Sequence, residues 1–315
     1  MTAVAAGGQT TTVVWPLAHH RGALVPRDEA TLPVGSIALR YGISVFEGIR
    51  LYRQESGGVA PWLPGPHLDR LRNSCRLMGL DEGVAADVPA IVDDLVAAQG
   101  IDADGYIRVA ASAANSGDIN QDAETALTVT ITPSGRKRWL ADHVGIRLGV
   151  SAWQRPSDAV FPSAAKNISA YAGPRLALAQ AKRDGYDSCV LRTADGLISE
   201  APTATVFLVE GGRVVTPRLS DHVLPGVTRA WVLATASALG YQAVEDAVTE
   251  DRLTAADEVF LCGTGIEFGP VREVAGVTLP GGPSGPVTKA LVDTYFAQAR
   301  GVAAPTPVDL DLPGA

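Results

Sequence analysis

Cysteine is scarce in this sequence of 315 residues and occurs only at Cys75, Cys189 and Cys262. An odd number of widely spaced cysteines argues against a disulfide scaffold and against a CxxC-type zinc site. It is typical of the reduced cytoplasm, where we expect the protein to act. The five histidines form no HExxH or similar ligand pattern, so we predict no metal ion.

Long apolar runs are also missing, since none reaches the roughly 18 residues that a membrane-spanning helix needs. Residues 1–12 lack the basic and apolar segments of a signal peptide. Basic residues are outnumbered by acidic ones, 26 to 34, which gives a formal net charge of −8. We therefore expect neither a nucleic acid nor a membrane as a partner.

The composition is that of a folded chain, with 46% hydrophobic and 19% charged residues. A mass of 32.7 kDa exceeds that of a typical single domain, so the length predicts two domains or one large α/β unit. Strand-like runs dominate up to residue 132, whereas strands and helices alternate from residue 144 onward. We therefore predict a small N-terminal domain, 1–132, and a larger C-terminal domain, 144–315, joined by a linker at 133–143.

The residue patterns predict individual elements along the chain. The basic run at 136–138 is expected in a solvated loop, the first ten residues in a loose arm and residues 303–315 in a frayed tail. Predicted strands are 36–40, 48–52, 106–113, 126–131, 144–153, 187–191, 205–209 and 258–262, and predicted helices are 67–80, 87–98, 172–183, 228–239, 250–255 and 287–299.

Lysine is rarer than arginine, and one of the lysines stands apart. Lys166 follows a strand-like run and a stretch of small uncharged residues, which would desolvate its amine and make it nucleophilic. A lysine that keeps its head in solvent is the alternative. Lys137 belongs to the linker, and Lys182 and Lys289 lie on predicted helices with polar flanks.

Three further stretches suggest a ligand site, and each has an ordinary structural alternative. Glu200 sits at a strand end, between small residues and the apolar run 206–209, where it would hold a protonated ring nitrogen or simply cap a turn or a helix. Residues 224–229 lie at the start of a predicted helix, where free backbone N–H groups would bind an anion. The alternative is an ordinary turn at Gly226, with Thr228 as the N-cap. The glycine-rich turn at 262–265 would present amides to a second anion.

Taken together, these stretches resemble the class IV (fold type IV) pyridoxal-phosphate-dependent aminotransferases, most of all the branched-chain amino-acid aminotransferases. The resemblance spans residues 34–275, and its specificity lies in the order and spacing of the motifs rather than in any one of them. The motifs are YGISVFEGIR at 41–50, HLDRL at 67–71, YIR at 106–108, Lys166 with Tyr171, GYD at 185–187, SE at 199–200, LPGVTR at 224–229, ADEVF at 256–260 and CGT at 262–264.

The resemblance implies a two-domain α/β fold with pyridoxal 5'-phosphate in the cleft. Lys166 resembles the catalytic lysine that holds the cofactor and shuttles a proton, and Glu200 resembles the acid that pairs with the pyridine nitrogen. Tyr171 resembles the tyrosine bonded to the phenolic oxygen. The phosphate would be bound by Arg70, by the amides of Val227 and Thr228, and by the hydroxyls of Thr228 and Thr264.

The resemblance also implies the substrate pocket. Its apolar walls would select aliphatic side chains, while one arginine, Arg108, would receive the distal carboxylate of glutamate. The substrate α-carboxylate would meet the Tyr106 hydroxyl and the amides of Thr264 and Gly265. The remaining implied pocket residues are Tyr41, Phe46, Gly48 and Arg50.

These roles predict reversible transamination between a branched-chain or related apolar L-amino acid and 2-oxoglutarate, by a ping-pong cycle through pyridoxamine phosphate. The resemblance also implies a homodimer or higher homo-oligomer.

Alternatives with the same fold are a D-amino-acid aminotransferase, an (R)-selective amine aminotransferase and an aminodeoxychorismate lyase. Ala170, Thr205 and Gly265 depart from the family pattern, which leaves the exact substrate open. A member that only binds the cofactor, without catalysis, is a further alternative.

Overall fold

A computed structural model of the chain describes residues 15–313, so the predicted N-terminal arm lies outside the described residues. Its strands are β1 (Leu17–His20), β2 (Ala23–Pro26), β3 (Ser44–Arg53), β4 (Val59–Pro61), β5 (Gly105–Ala113), β6 (Thr125–Pro133), β7 (Ile146–Gln154), β8 (Ser188–Arg192), β9 (Thr205–Glu210), β10 (Arg213–Pro217), β11 (Gln242–Asp246), β12 (Glu258–Gly263), β13 (Glu267–Val274) and β14 (Val277–Thr278). Its helices are α1 (Ile37–Tyr41), α2 (Pro64–Leu77), α3 (Val88–Gln99), α4 (Arg138–Ala141), α5 (Ala172–Arg183), α6 (Val227–Ala238), α7 (Glu250–Ala255) and α8 (Pro286–Ala299).

The first sheet uses only strands from the N-terminal part of the chain. It has six strands in the order β2-β1-β6-β5-β3-β4, all antiparallel. The apolar faces of α2 and α3 pack against it, with Leu71 and Leu95 fully buried. Strand β3, between β5 and the edge strand β4, is buried along almost its whole length, so the charged residues that it carries must find partners inside the protein.

The second sheet has eight strands and is mixed. Its order is β11-β10-β9-β12-β13-β7-β8, with β14 paired to β13. The pairs β10–β11, β13–β7 and β7–β8 are parallel and the others antiparallel. Both faces carry a hydrophobic core, one of which includes the indole of Trp231 on α6 and the ring of Tyr295 on α8. The alternation of strands and helices predicted from residue 144 onward is confirmed.

The two sheets meet through an aromatic cluster and a buried ion pair. Tyr52 of the first sheet and Trp62, which directly follows β4, pack against Tyr295 of α8. Arg50 on β3 pairs with Glu267 at the start of β13 at 2.9 Å, and both side chains are fully buried. The Tyr52 hydroxyl also donates to Glu267 at 2.6 Å. These contacts fix the relative position of the sheets, because breaking a buried pair leaves an uncompensated charge.

Two local predictions are wrong. Residues 36–40 form part of helix α1 rather than a strand, because Ser36 caps its first turn and Gly42 ends it in the left-handed conformation (φ +73°). The tail from 303 is not frayed over the described residues. The backbone N–H of Thr306 donates to Gln298 at 3.0 Å, and its hydroxyl contacts Thr235 at 3.0 Å.

Candidate functional site

A cavity of about 770 Å³ lies between the two sheets and is lined by residues of both. The first sheet and α2 contribute Arg70 and the side chains of Tyr106 and Arg108. Further lining residues come from the loop before α5, from the segment before β9 that carries Glu200, from the start of α6 and from the turn between β12 and β13. The cavity thus brings together most of the predicted site residues, namely Phe46, Gly48, Arg70, Tyr106, Arg108, Lys166, Tyr171, Glu200, Val227, Thr228, Thr264 and Gly265.

Lys166 reaches the cavity from a loop that is tied to the first sheet and to the helix packed on it. Its backbone N–H donates to the Ser74 hydroxyl on α2 at 3.0 Å, and its carbonyl accepts from Phe46 at 2.9 Å. Lys166 Nζ donates to the Tyr171 hydroxyl at 2.7 Å. Lys166 Nζ also lies 4.8 Å from the centre of the Phe46 ring. The amine is therefore held in place among aromatic rings rather than free in solvent.

Glu200 is buried and has one strong partner. Arg155, which follows β7, contacts Glu200 Oε1 at 2.8 Å, whereas Oε2 receives only a long contact of 3.4 Å from the Leu224 N–H. Burial raises the pKa of Glu200 above its ordinary value, and the charges of Arg155 and Lys166 oppose that rise. A cationic N–H donor in the cavity would therefore give Glu200 Oε2 a close hydrogen-bond partner and stabilise the ionised carboxylate.

Arg70 is held by a buried acid. Its Nε and Nη2 donate to Glu47 Oε1 and Oε2 at 2.7 and 2.9 Å, and Nη1 donates to the Pro225 carbonyl at 2.8 Å. His67, one turn earlier on α2, contacts Glu47 Oε2 through Nδ1 at 2.8 Å. Burial alone would raise the pKa of Glu47, but Arg70 and His67 lower it to about 2. The guanidinium is thus oriented toward the loop that precedes α6.

The N-terminus of α6 faces the same cavity. Gly226 is the N-cap and offers no side-chain acceptor, so the N–H groups of Val227 and Thr228 have no side-chain cap in the described residues. A Cβ at Gly226 would lie 3.2 Å from the Cβ of Arg229, which makes the turn tight. The twelve residues of α6 give this end a partial positive charge that attracts anions.

The wall formed by β3 and β5 combines an apolar surface with a cation. The Arg108 guanidinium stacks 3.5 Å from the centre of the Phe46 ring. Gly48 pairs with Arg108 across the strands, and a Cβ there would lie only 1.7 Å from the Tyr106 hydroxyl. Because Gly48 has no side chain, the Tyr106 ring can occupy the space beside it. Burial raises the pKa of Tyr106, so its hydroxyl keeps the proton that it can donate.

Two predicted pocket residues do not line this cavity. Arg50 is fully buried in its ion pair with Glu267 and also donates to the Ser134 carbonyl at 2.8 Å, which leaves no exposed guanidinium for a substrate. The predicted substrate contact of Arg50 is therefore not supported. Tyr41 is half-buried against the core of the first sheet, beneath the guanidinium of Arg40.

Sequence reasoning missed four charged or titratable residues around the cavity. Glu47 and His67 hold Arg70, Arg155 holds Glu200, and Lys137 lines the cavity instead of lying in a solvated loop. Arg136 and Arg138 in the basic run are exposed as predicted, but Arg138 begins helix α4 and does not lie in a loop. A usable signal existed for Glu47, because a carboxylate inside an apolar strand run needs a buried cation.

The donor set fits the predicted cofactor, pyridoxal 5'-phosphate. The Lys166 amine suits an aldehyde carbon, and the Tyr171 hydroxyl beside it suits a phenolate oxygen. The poorly satisfied Oε2 of Glu200 suits a pyridine N–H. The uncapped amides at the start of α6 suit a phosphate dianion, and Arg70 adds a positive charge.

Comparison with known proteins agrees with this interpretation. Residues 44–274 match the family model for amino-transferase class IV. A probable branched-chain-amino-acid aminotransferase from Aquifex aeolicus is 30% identical over 287 residues, covering 90% of this chain and 92% of the relative. Two solved structures are similar to the whole fold. The branched-chain amino acid aminotransferase of Thermobaculum terrenum in its PLP form gives a TM-score of 0.85 at 27% identity, covering 91% of this chain and 95% of that one.

The second structure is the branched-chain aminotransferase of the archaeon Thermoproteus uzoniensis with norvaline. It gives a TM-score of 0.84 at 30% identity and covers 91% of this chain and 96% of that one. The predicted two-domain α/β class IV fold, the enzyme class and the cofactor are confirmed. The protein belongs to the class IV aminotransferases and is an enzyme that uses pyridoxal 5'-phosphate.

Proposed function

We propose that this aminotransferase transfers the amino group of a branched-chain or related apolar L-amino acid to 2-oxoglutarate, in two half-reactions of a ping-pong cycle. The observation that carries the proposal is the Arg108 guanidinium stacked 3.5 Å from the centre of the Phe46 ring inside the cavity. A pocket that serves two substrates must accept an aliphatic side chain and an acidic one in turn. An aromatic wall with one cation meets both demands.

Each end of the cofactor has its own set of residues in this proposal. Arg70, the amides of Val227 and Thr228, and the hydroxyls of Thr228 and Thr264 bind the phosphate. Glu200 accepts a hydrogen bond from the protonated pyridine nitrogen, and Arg155 keeps that carboxylate ionised and in position. Support comes from the 2.8 Å contact between Arg155 and Glu200 and from the uncapped start of α6.

The chemistry proposed for the protein is proton movement at the substrate Cα. When bound, pyridoxal phosphate carries the amino group between the half-reactions and withdraws electrons from Cα. Lys166 Nζ takes the Cα proton and returns it on the cofactor side. Its 2.7 Å contact with the Tyr171 hydroxyl keeps the amine at one place between these positions.

The substrate is oriented by its α-carboxylate in this proposal. The Tyr106 hydroxyl and the backbone amides of Thr264 and Gly265 bind that group from opposite sides of the cavity. Arg108 receives the distal carboxylate of glutamate, and Phe46 contacts an aliphatic side chain in the other half-reaction. The missing Cβ at Gly48 supports this placement, because it leaves room for the Tyr106 hydroxyl beside β3.

We propose further that residues 1–132 and 144–315 act as two domains joined by 133–143. Support comes from the sheets themselves, since β1–β6 all precede residue 134 and β7–β14 all follow residue 145.

We also propose a homodimer that acts in the cytoplasm. Val34, Leu39 and Ile119 expose 84%, 64% and 68% of their surfaces, which suits burial against a second copy. The free cysteines suit a reducing compartment.

The decisive experiment is the visible spectrum of the purified holoenzyme before and after L-leucine is added without a keto acid. We expect the absorption band of the bound cofactor to bleach and to return when 2-oxoglutarate is added. Lys166→Ala should lose this response, and Lys289→Ala, whose lysine pairs with Asp293 on the surface, should keep it.

The alternatives with the same fold are separated by parallel additions of D-alanine and of an (R)-amine. Bleaching by D-alanine or by the amine, with none by L-leucine, would replace the proposed substrate while leaving the enzyme class in place. Full turnover by Lys166→Ala would contradict the role of Lys166. Sedimentation as a monomer would contradict the proposed dimer.

Among the helices within residues 15–313, none combines the length and the apolar character that a membrane crossing requires.

A further inference from the structure

Lys137 is a cation in the substrate cavity with no counterion of its own. It is half-buried and lines the same cavity as Arg108 and Tyr106. Within residues 15–313 its ammonium group makes no hydrogen bond and no ion pair, in contrast to the surface lysine Lys289, which pairs with Asp293. A partly buried ammonium without a partner is unfavourable, so its position needs an explanation.

The segment that carries Lys137 is anchored on both sides. Before it, Ser134 donates its backbone N–H to the Asp104 carbonyl at 3.0 Å and accepts from Arg50. After it, the Trp139 indole N–H donates to the Phe268 carbonyl at 2.7 Å. These anchors lie on opposite sheets, so Lys137 is held across the cleft rather than left on a free loop.

The charges nearest Lys137 do not neutralise it. Burial lowers the pKa of Lys137, the positive charge of Arg50 lowers it further, and Glu267 raises it. Glu267 is already engaged, because it pairs with Arg50 at 2.9 Å and accepts from Tyr52 at 2.6 Å. The cavity itself is therefore the place from which an anion would reach Lys137.

Lys137 and Arg108 lie on either side of Tyr106. Arg108 is two residues further along β5, so its side chain shares a face with Tyr106. Lys137 follows the end of β6, where Thr132 pairs with Tyr106 and Pro133 pairs with Gly105. A substrate whose α-carboxylate meets the Tyr106 hydroxyl thus occupies a cavity that both cations line.

We propose that Lys137 binds the distal carboxylate of the acidic substrate, together with Arg108, and so sets the preference of the enzyme for dicarboxylic amino and 2-oxo acids. This inference rests on the proposed function, in which the α-carboxylate is already bound by Tyr106 and by the turn at 263–265. An aliphatic substrate has no second carboxylate and gains nothing from Lys137. The residue therefore determines specificity and takes no part in proton transfer.

The test is equilibrium binding of two unreactive acids to the holoenzyme, measured by isothermal titration calorimetry. Glutarate carries two carboxylates and 4-methylpentanoate carries one. We expect Lys137→Met to weaken glutarate about tenfold to a hundredfold, the usual effect of losing a hydrogen bond to a charged group, and to leave 4-methylpentanoate within about twofold. Lys137→Arg should restore most of the glutarate affinity, and Lys289→Met should change neither acid.

Three results would overturn the inference. Equal weakening of both acids by Lys137→Met would place the lysine at the α-carboxylate. Unchanged binding of both would show that it contacts neither, and a lowered melting temperature shared with Lys137→Gln and Lys137→Arg would indicate a structural role. Wild-type spectra with L-leucine and L-glutamate keep the two proposals apart, because a wild-type enzyme that responds to neither amino acid contradicts the proposed function independently of Lys137.

Discussion

Glu47 on β3 and Arg70 on α2 are joined by two hydrogen bonds of 2.7 and 2.9 Å, with both side chains buried. This fork leaves Arg70 Nη1 to donate to the Pro225 carbonyl in front of α6. One carboxylate thereby links the first sheet, the helix packed on it and the proposed phosphate site. Its loss should affect stability and cofactor binding together.

Glu47→Gln should destabilise the protein by about 3–5 kcal/mol, because it removes one partner of a buried pair and leaves the Arg70 charge uncompensated. Urea denaturation of the apoenzyme measures the free energy of unfolding, and titration with pyridoxal phosphate measures cofactor affinity, which should also fall. Asp293→Asn is the matched control, since its pair with Lys289 is exposed and should be worth less than about 1 kcal/mol. Equal effects of the two variants would contradict the role assigned to Glu47.

The same residue predicts a pH dependence of stability. The pKa of Glu47 is lowered from 4.5 to about 2 in the folded protein, so its contribution is complete above the unfolded value and is lost as the pH falls toward 2. Between pH 5 and pH 3 the wild type should therefore lose part of its advantage over Glu47→Gln, and the full loss of about 3 kcal/mol is reached only below about pH 2. Unfolding free energies measured over this range test the prediction. A constant difference between the two proteins would contradict it.

Arg155→Met should move the acidic limb of the pH–rate profile. The Arg155 charge opposes the rise that burial causes in the pKa of Glu200, so its removal raises that pKa further. The ionised carboxylate then exists only at higher pH, and the limb shifts upward. Single-turnover rates with L-leucine across pH 5–9 measure the shift. Arg155→Lys, which retains the charge, should stay close to the wild type, and a profile lowered uniformly in both variants would indicate a packing defect instead.

Many helices and strands of this protein can be predicted from its sequence, because they depend on local residue patterns. Helix α5, predicted at 172–183, has those bounds in the structure, since an apolar face and a basic last turn define it locally. The resemblance to the class IV aminotransferases, not a local pattern, predicted that Lys166 and Glu200 share one site, and both line the cavity.

The errors concern residues whose partners are distant in sequence or whose local signals conflict. Arg50 belongs to the same motif as Phe46, yet its partner Glu267 lies on the other sheet. The run at 36–40 has strand-forming residues, but the hydrogen bond from the Leu39 N–H to Ser36 Oγ decides for a helix. Lys137 belongs to a basic run whose other members are exposed, so its sequence context predicted a solvated position. Hydrogen bonds of the residues on either side of it, such as Trp139, hold it at the cavity.

Gly48→Ala should impair substrate binding without disturbing the backbone. The glycine lies in a regular antiparallel pair with Arg108, so alanine is compatible with its conformation, but the new Cβ would lie 1.7 Å from the Tyr106 hydroxyl and 2.4 Å from its Cζ. The Tyr106 ring must move, which costs about 1–3 kcal/mol and displaces a proposed contact to the α-carboxylate. Steady-state kinetics should therefore give a higher KM for L-leucine and L-glutamate alike. Gly65→Ala is the control, because no atom lies within 4 Å of its Cβ position, and an unchanged KM in Gly48→Ala would contradict the placement of Tyr106.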